Sequence, residues 1–239
     1  MSDWRGAMYI FRNEMRQSWI GVVITVLFFI YVGLIITPNI NEMIMDKGED
    51  LSWIGDSLYL LLVPFMGFLM NRTIFRYRTD DPFTRKITYF RTLPISLNAI
   101  VLARMIQSIA VSVPVAVFFY TFQYIISDEL NTLLSVDQYM YFVFFWFGYS
   151  IIGGCIYVYI EQAYNGKIYF ISSLLAMLLY TVIAILLWAN QTEFLLWSLH
   201  AAKNEELAWP ILANVSAIAA LLLTGILIRR RLASRDFSQ

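Results

Sequence analysis

Hydrophobic positions along this chain fall into six blocks that are separated by short polar stretches. A helix needs about 20 consecutive apolar residues to cross a hydrocarbon core about 30 Å thick. The pattern therefore predicts an all-α membrane protein with six transmembrane helices. The second block is the shortest, and it carries Asp56 near one end and Pro64 inside. The predicted spans cover residues 19–37, 53–70, 100–126, 139–160, 168–189 and 207–228.

The composition agrees with a chain that lies almost wholly in a membrane. Of the 239 residues, 59% are hydrophobic and 14% are charged, whereas soluble globular domains have about 45–50% apolar and about 25% charged residues. The connections between the blocks are too short for a separate soluble domain. We therefore expect residues 1–239 to form one transmembrane domain.

Basic residues are distributed asymmetrically between the two sides of the predicted membrane protein. Lys and Arg are enriched on the cytoplasmic flanks of membrane spans. With six spans, fifteen of the seventeen Lys and Arg residues fall on one side, and the loops of the other side are acidic. The topology thus predicts that both termini are cytoplasmic. The fifteen residues are Arg5, Arg12, Arg16, Arg72, Arg76, Arg78, Arg85, Lys86, Arg91, Arg104, Lys167, Arg229, Arg230, Arg231 and Arg235.

The first eighteen residues have the pattern of an amphipathic helix. At 100° per residue, four apolar side chains form one stripe and three arginines form an adjacent stripe, which is typical of a helix lying at a lipid surface. We interpret residues 1–18 as an interfacial helix; the alternative is a frayed terminus with ordinary cytoplasmic charges. The residues concerned are Trp4, Met8, Phe11 and Met15, and Arg5, Arg12 and Arg16.

Several kinds of catalytic and metal site find no support in the sequence. The nearest match to a phosphate-binding loop is Asn165-Gly166-Lys167, but Ile168 follows where Ser or Thr is required. His200 is the only histidine, so neither a zinc site nor a Ser-His pair is indicated, and His200 is interpreted as a surface residue. We predict no catalytic residue, no metal ligand, no cofactor bound by this chain and no nucleic-acid partner. The lone Cys155 is interpreted as a small packing residue.

The loop between the second and third blocks, residues 71–99, carries clear helix signals. Asp80-Asp81-Pro82 is typical of a helix start, with an acidic N-cap and proline at the first helical position. A short helix from residue 82 to about residue 91 is predicted, with Leu93-Pro94 ending it and Ser96 beginning the next helix. The alternative is a solvated linker that merely carries positive charge.

Two motifs in this region resemble a known family. The run FRTLPIS at 90–96, followed by IVLAR at 100–104, is similar to the segment ahead of the third span in ABC transporter permeases of the type-two exporter class. The predicted interfacial helix, six spans and longer second cytoplasmic loop match that family along the whole chain. The chain departs from some exporters of this class because it has no large outer domain.

The resemblance implies a function and a set of contacts. Such a permease subunit, in a bacterial cell membrane, pairs with a second permease subunit (the same or a different chain) and with a cytoplasmic ATPase that binds ATP and magnesium. It exports cargo that is amphipathic, peptide, antibiotic or lipid-like, and it is not itself an enzyme. The loop helix then acts as a coupling helix, and a second inner loop makes a smaller contact. The implied contact residues are Asp80, Asp81, Phe83, Arg85, Lys86, Tyr89 and Arg91, with Glu161 and Lys167 in the second loop.

A different class of function stays open. The chain is alternatively a membrane protein without a transport role, such as a lipid-modifying enzyme or a sensor or accessory subunit. That function requires polar groups facing an intramembrane cavity, and Asp56 and Glu161 are the acids that approach span ends. A polar pocket around either residue would favour the alternative.

Overall fold

The computed structural model describes residues 2–45, 52–70, 81–190 and 192–234, and the regular structure of these ranges is entirely helical. The predicted all-α class is confirmed. The helices are α1 (Asp3–Ile44), α2 (Ser52–Leu62), α3 (Pro82–Thr92), α4 (Leu97–Ile126), α5 (Asp128–Leu133), α6 (Val136–Ala163), α7 (Gly166–Ala189), α8 (Phe194–Lys203) and α9 (Ala208–Ser234), and a 3₁₀ segment, Val63–Gly67, continues α2.

Five helices of the described ranges are long and apolar enough to cross a membrane, namely α1, α4, α6, α7 and α9. The second predicted block differs from a regular span. Its α-helix ends at Leu62, and the chain continues as the 3₁₀ segment and then as the non-helical stretch 68–70. Pro64 explains the change, because it has no N–H to donate to the carbonyl of Leu60. That carbonyl instead accepts a hydrogen bond from the hydroxyl of Tyr149 at 2.7 Å.

The structure corrects the predicted boundaries at the N-terminus. Residues 3–44 form one continuous helix of 42 residues, about 63 Å long if straight, so neither the separate helix over 1–18 nor the span end at residue 37 is found. The sequence before Pro38 contains no proline that would break the helix. Pro38 itself is tolerated inside α1, as prolines often are in transmembrane helices.

The start of α1 packs against α4 through a face that belongs to neither of the two predicted stripes. Gly6, Ala7 and Ile10 are buried against Ala99 and other residues at the start of α4. The predicted arginine stripe is exposed and the predicted apolar stripe is only partly covered, so contact of these stripes with lipid stays a prediction. Exposed residues are Trp4, Arg5, Arg12 and Arg16, and half-buried residues are Met8, Phe11 and Met15.

Polar contacts at both ends of α1 show that α1 and α4 run parallel. At one end, the Asp3 carboxylate accepts hydrogen bonds from Ser96 Oγ at 2.6 Å and Asn98 Nδ2 at 2.9 Å. At the other end, Ser127 Oγ donates to Asn41 Oδ1 at 2.6 Å. The starts of α1, α3, α4 and α7 and the ends of α6 and α9 therefore share one end of the bundle. We name it the basic end, since the described arginines lie there.

Small residues and aromatic rings fill the interior in different places. A Cβ atom on Gly153 would lie 2.6 Å from Pro64 Cβ, and one on Gly148 would lie 2.8 Å from the carbonyl carbon of Ala213. Gly148 and Gly153 of α6 thus allow close packing within the subunit. Towards the opposite end, the ring of Tyr59 meets that of Trp146 with centroids 4.8 Å apart.

Helix α7 contacts the rest of the subunit along one narrow side, chiefly at α2 and α6. Among its residues only Gly166 and Ala184 are buried, although the helix is apolar all round. A helix of this kind is stable against lipid or against another protein. Of the five long helices in the described ranges, α7 has the smallest buried share.

Candidate functional site

The predicted loop helix is present as α3, and its caps explain its bounds. Asp81 Oδ1 accepts a hydrogen bond from the backbone N–H of Thr84 at 3.3 Å, and Pro82 occupies the first turn. Asp81 has a positive φ of 41°, a conformation that Asp tolerates better than most residues. The helix stops at Thr92 because Leu93 precedes Pro94 and is extended. The predicted helix over 82–91 is therefore confirmed.

Helix α3 is held to the basic end by two polar contacts. Asp81 Oδ1 also accepts a hydrogen bond from the N–H of Gly166 at 3.0 Å, which joins the start of α3 to the start of α7. Lys86 Nζ lies 2.7 Å from Glu14 Oε1 on α1. Asp81 and Lys86 are therefore engaged within the subunit.

A buried apolar side chain joins α3 to three more helices. Ile87 is 1% exposed and packs with Val101 of α4, Val158 of α6 and Ile228 of α9. A displacement of α3 would therefore press on the spans directly. The packing also leaves the opposite side of α3 uncovered.

The uncovered side of α3 is basic and aromatic. Tyr89 is 61% exposed, and Arg85, Thr88 and Thr92 lie on the same side at helical spacing, all exposed, with Arg91 beside them. The hydroxyls of Thr88 and Thr92 donate to carbonyls of α3 itself. The side therefore offers the guanidinium of Arg85 and the phenol ring of Tyr89 to the surroundings.

The predicted ATPase contacts divide into three groups. Arg85, Tyr89 and Arg91 are exposed, whereas Asp81 and Lys86 make the contacts given above. Asp80 and the side chain of Phe83 lie outside the described residues. Whether any of these residues contacts an ATPase stays a prediction.

The predicted second inner loop is shorter than the sequence indicated. Glu161 is not in a loop: it belongs to the last turn of α6 and is 5% exposed. Only Tyr164 and Asn165 connect α6 to α7, and Lys167 is exposed in the first turn of α7. The cause is a partner on α4, Arg104, which holds the Glu161 carboxylate inside the bundle.

The Arg104–Glu161 pair is the main feature that the sequence analysis missed. Arg104 Nε donates to Glu161 Oε1 at 3.0 Å, and Nη2 donates to Oε2 at 2.5 Å. Gln107 lies 3.4 Å from Arg104 Nη1, and the guanidinium carbon lies 5.7 Å from the ring centroid of Phe68. The spacing of Arg104 and Gln107, two polar residues one helical turn apart in an apolar block, was the available signal.

The ion pair lies next to the apolar contact of α3. Val101 precedes Arg104 by three residues, and Val158 precedes Glu161 by three residues, so each pair shares one helix face. Both valines pack with Ile87. Helix α3 therefore contacts the same faces of α4 and α6 that carry the ion pair.

Asp56, the other acid at a span end, has a structural contact. Its carboxylate is 2% exposed and accepts hydrogen bonds from the backbone N–H groups of Phe194 at 3.0 Å and Leu195 at 2.7 Å. Asp56 thus caps α8 from a distant part of the chain, where the N-cap residue Glu193 makes no side-chain cap. The carboxylates of Asp56 and Glu161 are therefore both engaged in hydrogen bonds within the subunit.

The remaining titratable groups do not assemble a further site in the described ranges. There, no group of three or more His, Cys, Asp or Glu side chains is placed to hold a metal ion. His200 is exposed, as predicted. Cys155 is buried with Ile151 and Ala217, which confirms its interpretation as a packing residue.

The comparisons with known proteins identify no relative. The chain matches no protein-family model, and no curated protein and no solved structure matches it either.

Proposed function

We propose that this chain is the transmembrane permease subunit of an ATP-driven ABC transporter, coupled to a separate cytoplasmic ATPase. The observation that carries the proposal is α3: a capped helix outside the long spans, docked on α1, α7 and the Ile87 cluster, with an uncovered basic side. The FRTLPIS and IVLAR motifs, at the end of α3 and the start of α4, add the family resemblance.

The proposed topology has six crossings, with both termini in the cytoplasm of a bacterial cell. The parallel contacts of α1 and α4 support it, because the chain between Met45 and Asp81 must return from the opposite end to the basic end. Residues 52–70, as α-helix, 3₁₀ helix and extended chain, span roughly 35 Å. That length suffices for a hydrocarbon core of about 30 Å.

The proposed mechanism transmits force from α3 to the spans. An ATPase that binds the uncovered side of α3 and moves on ATP hydrolysis displaces Ile87 against Val101 and Val158. Those residues belong to α4 and α6, which the Arg104–Glu161 pair holds together. ATP and magnesium belong to the ATPase, and a second permease subunit, the same or a different chain, completes the pathway. The cargo class that we propose is amphipathic: a peptide, an antibiotic or a lipid-like compound.

Co-purification from native membranes in mild detergent tests the proposal. We expect a soluble ATPase to accompany the tagged wild-type chain, and the double substitution Arg85→Ala with Tyr89→Ala to reduce its recovery at least about tenfold. Two exposed contacts worth about 1 kcal/mol or more each account for that factor. The matched control is Arg12→Ala with Tyr9→Ala, since Tyr9 is 64% exposed and Tyr89 is 61% exposed.

Two results would contradict the proposal. One is that no ATPase accompanies the wild-type chain although the chain remains monodisperse. The other is that the α1 control loses the ATPase to the same extent as the α3 variant, which would show that the contact does not depend on α3. Either result returns the non-transport alternatives to consideration.

A further inference from the structure

A groove with a volume of about 380 Å³ runs between α4 and α9 at the basic end. Its walls are apolar, with Leu102 and Met105 on one side and Leu222 and Ile226 on the other. Leu222 is 65% exposed and Ile226 is 49% exposed, so the groove opens sideways, away from the core. A ligand would therefore enter from the membrane rather than from the interior.

Gly225 creates the depth of this groove. It lies on α9 opposite Met105, and a Cβ atom at this position would lie 3.2 Å from Met105 Sδ. Any larger side chain at position 225 would project into the space between the two helices. The depth of the groove thus depends on the absence of a side chain at position 225.

The two ends of the groove differ in polarity. The end at the start of α4 is lined by Asn98 and Arg229, and the other end by Ile109 and further apolar residues. Arg229 is exposed and makes no ion pair with any residue that the structure describes. The nearby carboxylate of Asp3 already accepts hydrogen bonds from Ser96 and Asn98. The groove therefore combines an apolar slot with a cation at one end only.

The length of the groove matches one leaflet of a bilayer. From Asn98 to Ile109 it follows α4 for about 16 Å at 1.5 Å per residue. Half of a hydrocarbon core of about 30 Å is close to that length. Anionic headgroups are attracted to Lys and Arg at the membrane surface. The length of the groove therefore matches an acyl chain of one leaflet, and the cation at its end matches an anionic headgroup.

We propose that the groove between α4 and α9 binds an anionic phospholipid of the leaflet at the basic end, with its headgroup at Arg229 and an acyl chain over Gly225. The proposed topology makes this the cytoplasmic leaflet. The binding itself requires neither an ATPase nor transport, so it stands or falls separately from the proposed function.

Native mass spectrometry of the purified full-length chain tests this site. The probes are phosphatidylglycerol and phosphatidylcholine with identical acyl chains, titrated separately into the detergent solution. We expect the wild-type chain to retain one phosphatidylglycerol in preference to phosphatidylcholine. Gly225→Leu should weaken retention about tenfold or more, because it removes the burial of several methylene groups. Arg229→Gln should weaken retention about fivefold, the effect expected of one basic residue near the headgroup.

Matched substitutions on α9 serve as controls. Arg230→Gln removes an adjacent charge that does not line the groove, and Ser216→Leu adds a leucine on the side of α9 that faces away from the groove; both should retain the lipid. Gly225→Leu is expected to fold, because Met105 is flexible and a helical glycine is replaced by a better helix former. Its thermal midpoint confirms folding.

Three results would overturn the proposal: equal retention of both lipids, unchanged retention in Gly225→Leu, or the same loss in Arg230→Gln as in Arg229→Gln. The first shows that the headgroup is not read, the second places the lipid elsewhere, and the third attributes the effect to diffuse charge.

Discussion

The guanidinium of Arg104 and the carboxylate of Glu161 lie side by side between α4 and α6 and share two hydrogen bonds. Both side chains are less than one tenth exposed. In such surroundings, the loss of one partner leaves an uncompensated charge, which is more costly than the loss of both. We therefore expect the two charges to be retained or lost together.

Single substitutions of this pair should destabilise the protein more than the double substitution does. Arg104→Met or Glu161→Leu alone is expected to lower the free energy of unfolding by about 3–5 kcal/mol, because the other charge stays buried. The double variant should recover most of that loss. Reversible denaturation of the detergent-purified chain measures all four proteins. A double variant less stable than both single variants would contradict this account of the pair.

Removal of the Asp56 carboxylate should loosen the start of α8. Asp56→Ala leaves the buried N–H of Leu195 and the partly buried N–H of Phe194 without an acceptor, and we expect a loss of about 1–3 kcal/mol in the free energy of unfolding. Hydrogen exchange at Phe194 and Leu195 should become faster. The control is Glu193→Ala, because Glu193 occupies the N-cap position without a side-chain cap. Equal effects of the two substitutions would show that the Asp56 cap has no special role.

Adjacent glycines on α6 provide a test of helix packing. A Cβ atom at Gly153 would lie 2.6 Å from Pro64 Cβ, whereas one at Gly154 has its nearest neighbour at 3.5 Å. Gly153→Ala should therefore cost about 1–3 kcal/mol through overpacking. Gly154→Ala should be neutral or stabilising by up to about 1 kcal/mol, since alanine is the better helix former. Thermal unfolding in detergent distinguishes them, and the reverse order would refute the close contact with Pro64.

Labelling of single cysteines tests the number of crossings. In a Cys155→Ser background, Tyr9→Cys and Tyr89→Cys are expected to resist a membrane-impermeant maleimide in intact cells, and Thr132→Cys is expected to react. All three should react after permeabilisation. If residues 52–70 do not cross, Tyr9 and Tyr89 lie on opposite sides of the membrane, and only one of them will be protected.

Hydrophobic block lengths were sufficient to predict the long helices but not the second span. Each of the five long helices covers one of the predicted blocks, because a run of about 20 apolar residues has few alternatives to a membrane helix, although α1 extends well beyond its block. In the second block, Pro64 signals a break in the helix, but the residue that hydrogen-bonds the freed carbonyl lies elsewhere in the chain. The carbonyl of Leu60 is satisfied by Tyr149, which belongs to α6. Such a contact between distant segments leaves no periodic signal in the sequence.

In the candidate site too, features set by neighbouring residues were predictable, whereas features set by distant residues were not. The start and end of α3 follow from neighbouring residues, Asp81 with Pro82 and Leu93 with Pro94, and so were predictable. The burial of Glu161 was not, because it depends on Arg104, which is 57 residues away. Arg104 was counted as a cytoplasmic charge in the predicted orientation, and its buried partner went unrecognised.

The cap between Asp56 and α8 also affects the order in which the chain can be assembled. The carboxylate and its two amide partners are separated by 138 and 139 residues. At a synthesis rate of about 5 to 20 residues per second, α8 emerges roughly 7 to 28 seconds after α2. During that interval an acid at the edge of the hydrocarbon has no donor from α8, and an unpaired acid favours the aqueous boundary. We therefore expect α2 to settle into its final depth only after α8 has been made.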